Sequence, residues 1–300
     1  MKIKKYAAID IGSNAMRVLI SNVIQTKDGV HFQKNALVRA PIRLGEDSFT
    51  MGEISKNNLK RMIKAMRAFK LLMKVHEVSH YKAYATSALR EANNSGDIVQ
   101  QVKKKSGIKI EIIDGRKEAE IISNSKISDF IHTQKTFLFV DVGGGSTEFT
   151  FINEGKRVCS KSFKIGTVRL LNNTINPSTI NEIEKWLKSN IDQNDKVKLF
   201  ATGGNINKIQ TMTGTKTGKP ISYLSVKDLL NNVQLHSYKE RMIKYNLNPD
   251  RADVIIPALK IFILTMESVS SNKMFIPKVG LVDGMVKEIF YEKNGCKLDP

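Results

Sequence analysis

FLFVDVGGGSTEFTFI, residues 137–152, reads as two β-strands of apolar and β-branched residues joined by a turn of glycine and hydroxyl residues, with Asp141 at one end and Glu148 at the other. Gly143, Gly144 and Gly145 have no side chains to hold off a ligand, and glycine reaches backbone conformations closed to other residues. Their amides can converge on an oxyanion, as in other phosphate-binding loops, and Ser146 and Thr147 add hydroxyl donors. The two acids need their own explanation, because a carboxylate beside a phosphate repels it. Mg²⁺ removes the difficulty, since it is commonly held by one or two carboxylates together with phosphate oxygens and waters. On that reading Asp141 and Glu148 are metal ligands, directly or through water. The plain alternative is a tight glycine hairpin with flanking surface acids.

An internal repeat decides between them. AAIDIGSNAMRVLI, near the N-terminus, has the same plan of apolar strand, aspartate, aliphatic residue, glycine, small polar residues and a second apolar strand, with Asp10 matching Asp141. One copy leaves the two readings evenly weighed; two related copies, more than a hundred residues apart, favour phosphate binding and predict two related α/β halves.

Chain-wide properties agree. The 300 residues are enough for a large core and for two domains, and 41% hydrophobic with 26% charged residues is a globular composition. No apolar run approaches the roughly eighteen residues of a membrane span, so a cytoplasmic protein without a membrane partner is expected. Cys159 and Cys296 suggest no disulfide framework, and the five histidines have no metal-ligand spacing. The net charge of +19 attracts polyanions. Part of it sits on a predicted helix over 53–75, where Leu59, Met62, Ile63, Met66, Phe69 and Met73 form an apolar stripe and the cations fill the other side, as on any solvated face.

The remainder alternates between strands and helices. HYKAYATSA predicts a strand, followed by helices opening near Leu89–Arg90 and at Asn94 or Ser95. A strand over 108–113 leads through Asp114–Gly115 into the helix RKEAEIISNS. Strands are predicted near 156–163 and at KLFAT, 198–202, the latter ending at Gly203–Gly204. A long helix is expected from Asn248–Pro249, kinked or weakened by Pro257. The domain boundary falls near residue 125, giving an N-terminal domain over 1–125 and a C-terminal domain over 126–300, with the last helix free to pack back on the first domain.

DIGSNAMR and DVGGGSTE resemble the two phosphate-binding motifs of the superfamily of actin, heat-shock chaperones and sugar and acetate kinases. YATSALREANN, IEIIDGRKEAEII, IGTVRL, FATGGNINKI and NPDRADVIIPALKI, in that order over nearly the whole chain, resemble more narrowly the exopolyphosphatase and guanosine pentaphosphate phosphohydrolase (Ppx/GppA) family. The resemblance implies an α/β protein of two ribonuclease-H-like, actin-like domains with the active site in the interdomain cleft. It implies hydrolysis of a terminal phosphoanhydride bond, releasing orthophosphate from polyphosphate or the 5′-terminal phosphate from guanosine pentaphosphate (pppGpp).

Carried over by motif, Glu118 falls on the family's catalytic glutamate, the general base toward an attacking water. Outside that context a helix-surface acid near an N-terminus is the better reading. Arg90 and Arg17 are candidates for holding substrate phosphates, Arg90 ahead of Arg17, for which an inter-strand role competes. Ser13 and Asn14 belong to the first phosphate loop. Gly203 and Gly204 stand where the kinases approach adenosine, or serve only to let a helix pack closely. Arg169 either faces substrate or braces the second hairpin, and Arg251 and Asp253 are expected to be structural. Lys117, where many relatives carry an acid, adds positive charge beside Glu118; Asp283 replaces a common glutamate and its role stays open. The resemblance further implies a short two-domain form that leans toward shorter polyphosphate chains and is compatible with a homodimer. The expected activity is a Mg²⁺-dependent exopolyphosphatase (hydrolase), with pppGpp hydrolysis as the alternative. A kinase, or a non-catalytic sensor of polyphosphate or guanosine tetraphosphate (ppGpp), stands further off, and nucleic acid is not an expected partner.

Overall fold

The computed structural model describes residues 1–123, 136–153, 156–191 and 197–295; the expected boundary near residue 125 and Cys296 lie outside them. The chain forms two units, one of Met1–Lys126 with Leu281–Pro300, the other of Ile127–Gly280.

In the first unit the strands are β1 (Lys2–Ile11), β2 (Met16–Thr26), β3 (Gly29–Ala40), β4 (His80–Ala85) and β5 (Glu111–Ile112), with helices α1 (Leu44–Met51), α2 (Lys56–Val75), α3 (Ser87–Glu91), α4 (Ser95–Ser106) and α5 (Gly115–Ser123). The sheet order is β3-β2-β1-β4-β5; β1, β2 and β3 are antiparallel neighbours, whereas β4 and β5 run parallel to β1. β1 reads as a continuous apolar run because both of its faces are covered. Ala7, Ile9 and Ile11 join the core beneath α2 and α4, while Tyr6 and Ala8 face a second core. The apolar stripe expected on α2 is buried as predicted, and Ser55 caps the helix by accepting the Asn58 amide at 3.2 Å. The strand predicted over 108–113 shrinks to the two residues of β5, and β3, with its mostly exposed pattern, is a strand that apolar periodicity does not signal.

The second unit contains, in chain order, β6 (Phe137–Val142), β7 (Thr147–Asn153), β8 (Lys156–Phe163), α6 (Thr167–Leu171), α7 (Ser178–Ser189), β9 (Lys198–Thr202), α8 (Gly204–Met212), β10 (Ile221–Ser222), α9 (Tyr223–Gln234), α10 (Tyr238–Lys244), α11 (Pro249–Ala252), α12 (Ile255–Ser268) and β11 (Lys273–Phe275). Its sheet runs β8-β7-β6-β9-β11-β10. The first five positions repeat the pattern of the other sheet, three antiparallel strands and then two parallel ones, so the two units share the ribonuclease-H-like plan. Alternation again divides β6: Leu138, Val140 and Val142 enter the large core, and Phe137 and Phe139 enter a small aromatic one.

The long helix expected from Asn248 is two helices. The chain leaves helix at Asp253 and Val254 and restarts at Ile255, which places Pro257 in the first turn of α12, where its missing N–H costs nothing. The proline therefore ends one helix and begins another instead of kinking a continuous one.

The last helix, α13 (Leu281–Asn294), belongs to the first unit, so that unit is not the contiguous 1–125. Leu281, Val282, Met285, Val286, Ile289 and Phe290 complete the second core of that unit with Tyr6, Ala8, Tyr84 and Ile121. Asp283 pairs with Lys34 of β3 at 2.9 Å, which gives it a structural tie to the sheet.

Candidate functional site

Both repeats fold as expected into antiparallel hairpins closed by the same turn. Gly12 N–H donates to Ala15 O at 3.2 Å in the first, and Gly143 N–H to Ser146 O at 2.9 Å in the second. A Cβ on Gly12 or Gly143 would lie 3.1 or 3.0 Å from the acceptor carbonyl of its turn, so these positions are small because the turns are tight. The hairpin register places Asp10 directly opposite Arg17, and Asp141 directly opposite Glu148. Residues paired in this way share a face of the sheet. The two repeats therefore differ electrically at the same geometric position, the first neutralised by its own arginine and the second carrying two acids.

In the first unit Arg17 Nε lies 3.3 Å from Asp10 Oδ2, a cross-strand ion pair. Ser13 Oγ is 2.9 Å from Ser87 Oγ, which ties the turn to the start of α3, and Asn14 O accepts the Arg43 amide at 3.0 Å. Glu118 sits in the first turn of α5, buried, with its amide donating to Asp114 O at 3.0 Å. Arg90 Nη1 is 3.9 Å from Glu118 Oε2 and donates to Ile113 O at 2.8 Å, so the guanidinium braces the chain entering α5. Ser13, Asn14, Arg90 and Glu118 thus gather beyond the carboxyl ends of β1, β4 and β5, the edge at which open α/β sheets bind ligands.

Asp10 entered the sequence reading only as the partner of Asp141 in the repeat. It is buried, and burial pushes its carboxyl above the ordinary 3.8 in spite of the opposing Arg17 charge. A raised carboxyl pKa means that the folded chain keeps the proton longer than the unfolded chain. Ionisation then costs stability as pH rises from 3.8 through the folded value, and the cost persists at neutral pH. Asp10→Asn is expected to raise Tm at neutral pH. Below pH 3.8 the gain should vanish. Scanning calorimetry at the two pH values checks this, and a lower Tm at neutral pH would mean that the Arg17 pair outweighs burial.

In the second unit the glycine turn is held from one side. Gly143 O accepts the Thr167 amide at 3.0 Å, Gly144 O the Val168 amide at 2.8 Å, and Gly145 O the Arg169 Nε at 2.6 Å. None of these bonds uses the amides of Gly144 or Gly145. Arg169, buried with its guanidinium on a turn carbonyl, braces the hairpin. Thr147 Oγ1 donates to Ile165 O at 2.6 Å, and Ser162 Oγ donates to Glu148 Oε1 at 2.8 Å. Gly203 stands at the N-cap of α8 with φ 103°, and a Cβ there would stand 2.6 Å from Asp141 Oδ1. Gly203 therefore brings the start of α8 against the Asp141 carboxylate, where the amide end of the helix is favourable.

Thr202, which sequence reasoning did not single out, lies opposite Asp141 in the parallel β6–β9 register. Its buried Oγ1 has no hydrogen-bond partner, nor does that of Thr167 beside Gly143 O. Buried hydroxyls left unsatisfied point to a missing ligand, ion or water. Two carboxylates and nearby hydroxyls are hard oxygen donors, which fit Mg²⁺. No group of three or more His, Cys, Asp or Glu side chains among the described residues could hold a metal. Lys117, whose charge was expected beside Glu118, instead pairs with Glu288 at 2.8 Å.

The description "Ppx/GppA phosphatase family" matches residues 23–292. A bifunctional 3-dehydroquinate synthase/phosphatase of Fusobacterium nucleatum is 30% identical over 274 residues, 83% of this chain and 41% of that protein. Exopolyphosphatase 1 of Mycobacterium leprae is 20% identical over 98% of this chain and 92% of its own length. Among solved structures, an exopolyphosphatase from Cytophaga hutchinsonii shares the fold with a TM-score of 0.84 at 22% identity, covering 99% of this chain and all of the other. The Aquifex aeolicus member of the Ppx/GppA family shares it at 0.74 and 24% identity, covering 97% and 99%.

Proposed function

We propose, from the premise that the chain belongs to the Ppx/GppA phosphatase family of hydrolases, that it is an exopolyphosphatase, removing the terminal orthophosphate of inorganic polyphosphate in a Mg²⁺-dependent reaction. The observation that carries this reading is the difference between the repeats, in which the first hairpin answers its aspartate with Arg17 and the second with Glu148. Two carboxylates on one face beside a glycine turn suit a metal–phosphate pair, where a single ion-paired aspartate does not. Polyphosphate is favoured because the M. leprae relative that spans nearly the whole chain is an exopolyphosphatase, and because a net charge of +19 draws in a long polyanion.

When bound at Asp141 and Glu148, Mg²⁺ supplies charge neutralisation for the phosphate oxygens. The residues of the chain do the rest. Amides of the glycine turn and Ser146 orient phosphate oxygens, and Ser13 and Asn14 do so in the first turn. Glu118 accepts a proton as water oxygen bonds to the terminal phosphorus and the bridging P–O bond breaks, leaving orthophosphate and a chain shorter by one unit. Arg90 keeps a fixed positive charge beside Glu118 and the arriving phosphate.

Orthophosphate release from short polyphosphate, long polyphosphate and pppGpp, at equal concentration of phosphate ends and with or without a Mg²⁺ chelator, tests the reading. Polyphosphate turnover that the chelator abolishes supports it. Faster release from pppGpp replaces polyphosphate by pppGpp as substrate, and binding without turnover replaces the enzyme by a sensor.

A further inference from the structure

Glu288 of α13 is a buried acid for which the reaction above has no use. Its Oε1 lies 2.8 Å from Lys117 Nζ, and its Oε2 accepts the Tyr84 hydroxyl at 2.8 Å and stands 3.3 Å from Lys82 Nζ. Burial opposes its charge, yet Lys117, Tyr84 and Lys82 together hold its carboxyl below the ordinary 4.5. Lys117 immediately precedes Glu118 on α5. One turn along on both helices, Gly284 of α13 meets Ile121 of α5 so closely that a Cβ on the glycine would collide with the Ile121 carbonyl oxygen. Residues 117 and 121 lie on one face of α5, and 288 and 284 on one face of α13, because positions four apart share a helix face. The two contacts are rungs of one antiparallel packing, an ion pair and a backbone approach. Two contacts one turn apart resist both rotation of the helix about its axis and sliding along it, and so hold the direction in which the neighbouring Glu118 leaves the helix.

We infer that Glu288, through Lys117 and together with the Gly284–Ile121 approach, is the positioning residue that aims Glu118. The inference rests on the assignment of Glu118 as the base. A reacting group misplaced by about 1 Å can cost about 10²-fold in rate, so partial loosening of α5 should be visible in turnover. Glu288→Gln keeps the side-chain shape and removes the charge; Lys117→Met removes the partner charge at a half-exposed position that folding tolerates better. Each is expected to lower kcat for polyphosphate about 10-fold with little change in KM. The double variant should be no worse than either single one, since both cut the same link. Lys117→Arg, which keeps the charge, should restore most of the turnover lost in Lys117→Met. All are measured below the Tm of the least stable variant, with far-UV circular dichroism as the folding control. Should Glu288→Gln fail to fold, Lys117→Met and its arginine counterpart decide. A folded Glu288→Gln or Lys117→Met with wild-type kcat overturns the inference. Glu118→Gln separates the two levels. Activity that survives in it overturns the base assignment and this inference together, while its loss beside wild-type turnover in Glu288→Gln overturns this inference alone.

Discussion

Glu118→Gln should lower the turnover of polyphosphate by about 10²–10⁴-fold, the usual contribution of a general base, with KM and Tm close to those of the parent. Glutamine has nearly the shape of glutamate and still accepts a hydrogen bond through its amide oxygen, but it cannot take up the proton that water must lose as it bonds to phosphorus. The site favours a clean experiment. Glu118 is buried in the first turn of α5, its amide is anchored on Asp114, and Arg90, 3.9 Å from its carboxylate, is itself held by the carbonyl of Ile113. The substitution therefore removes a charge without freeing the arginine. Single-turnover phosphate release, with substrate binding followed separately, checks it. Full activity in the variant would hand the base role to another acid.

Gly203→Ala is the second large effect, and it reads out twice. At φ 103° an alanine is strained, which costs on the order of 1–3 kcal/mol. Its Cβ would also stand 2.6 Å from Asp141 Oδ1, a distance that forces the carboxylate aside. Chemical denaturation should show the loss of stability. The Mg²⁺ concentration for half-maximal activity should rise by about tenfold or more, which corresponds to only about 1.4 kcal/mol at the ion. A loss of stability with unchanged Mg²⁺ dependence would show that Asp141 does not hold the metal.

The parts legible in the sequence are those whose cause is local. Asp10–Gly12 and Asp141–Gly143 announced their hairpins because a tight turn demands small residues at fixed offsets between apolar strands, and the repeat of the pattern exposed the two-unit plan. The stripe on α2 was readable from its helical period. β3 was not, since it is an edge strand with a largely solvated pattern. Pro257 was expected to kink one long helix, but the chain leaves helix at Asp253–Val254 and the proline stands in the first turn of the next helix, a break that helical periodicity alone does not show. Glu118 needed the family pattern, a lone acid in a first helical turn having an ordinary explanation. The partner of Lys117 was out of reach for a different reason: Glu288 comes from the far end of the chain, and only the fold brings the two together. Thr202 became visible through a hydroxyl left without a partner, which no sequence pattern records.

The return of α13 to the first sheet has a consequence for how the chain is made. β1 is made long before α13, and the core on the Tyr6–Ala8 face of β1, to which Tyr84, Ile121 and Ile122 already contribute, stays incomplete until Leu281 and the residues after it have been synthesised. The second unit is continuous and can close during translation, while the first must wait for its last helix to complete one of its two cores, the kind of delayed, long-range closure that slows folding.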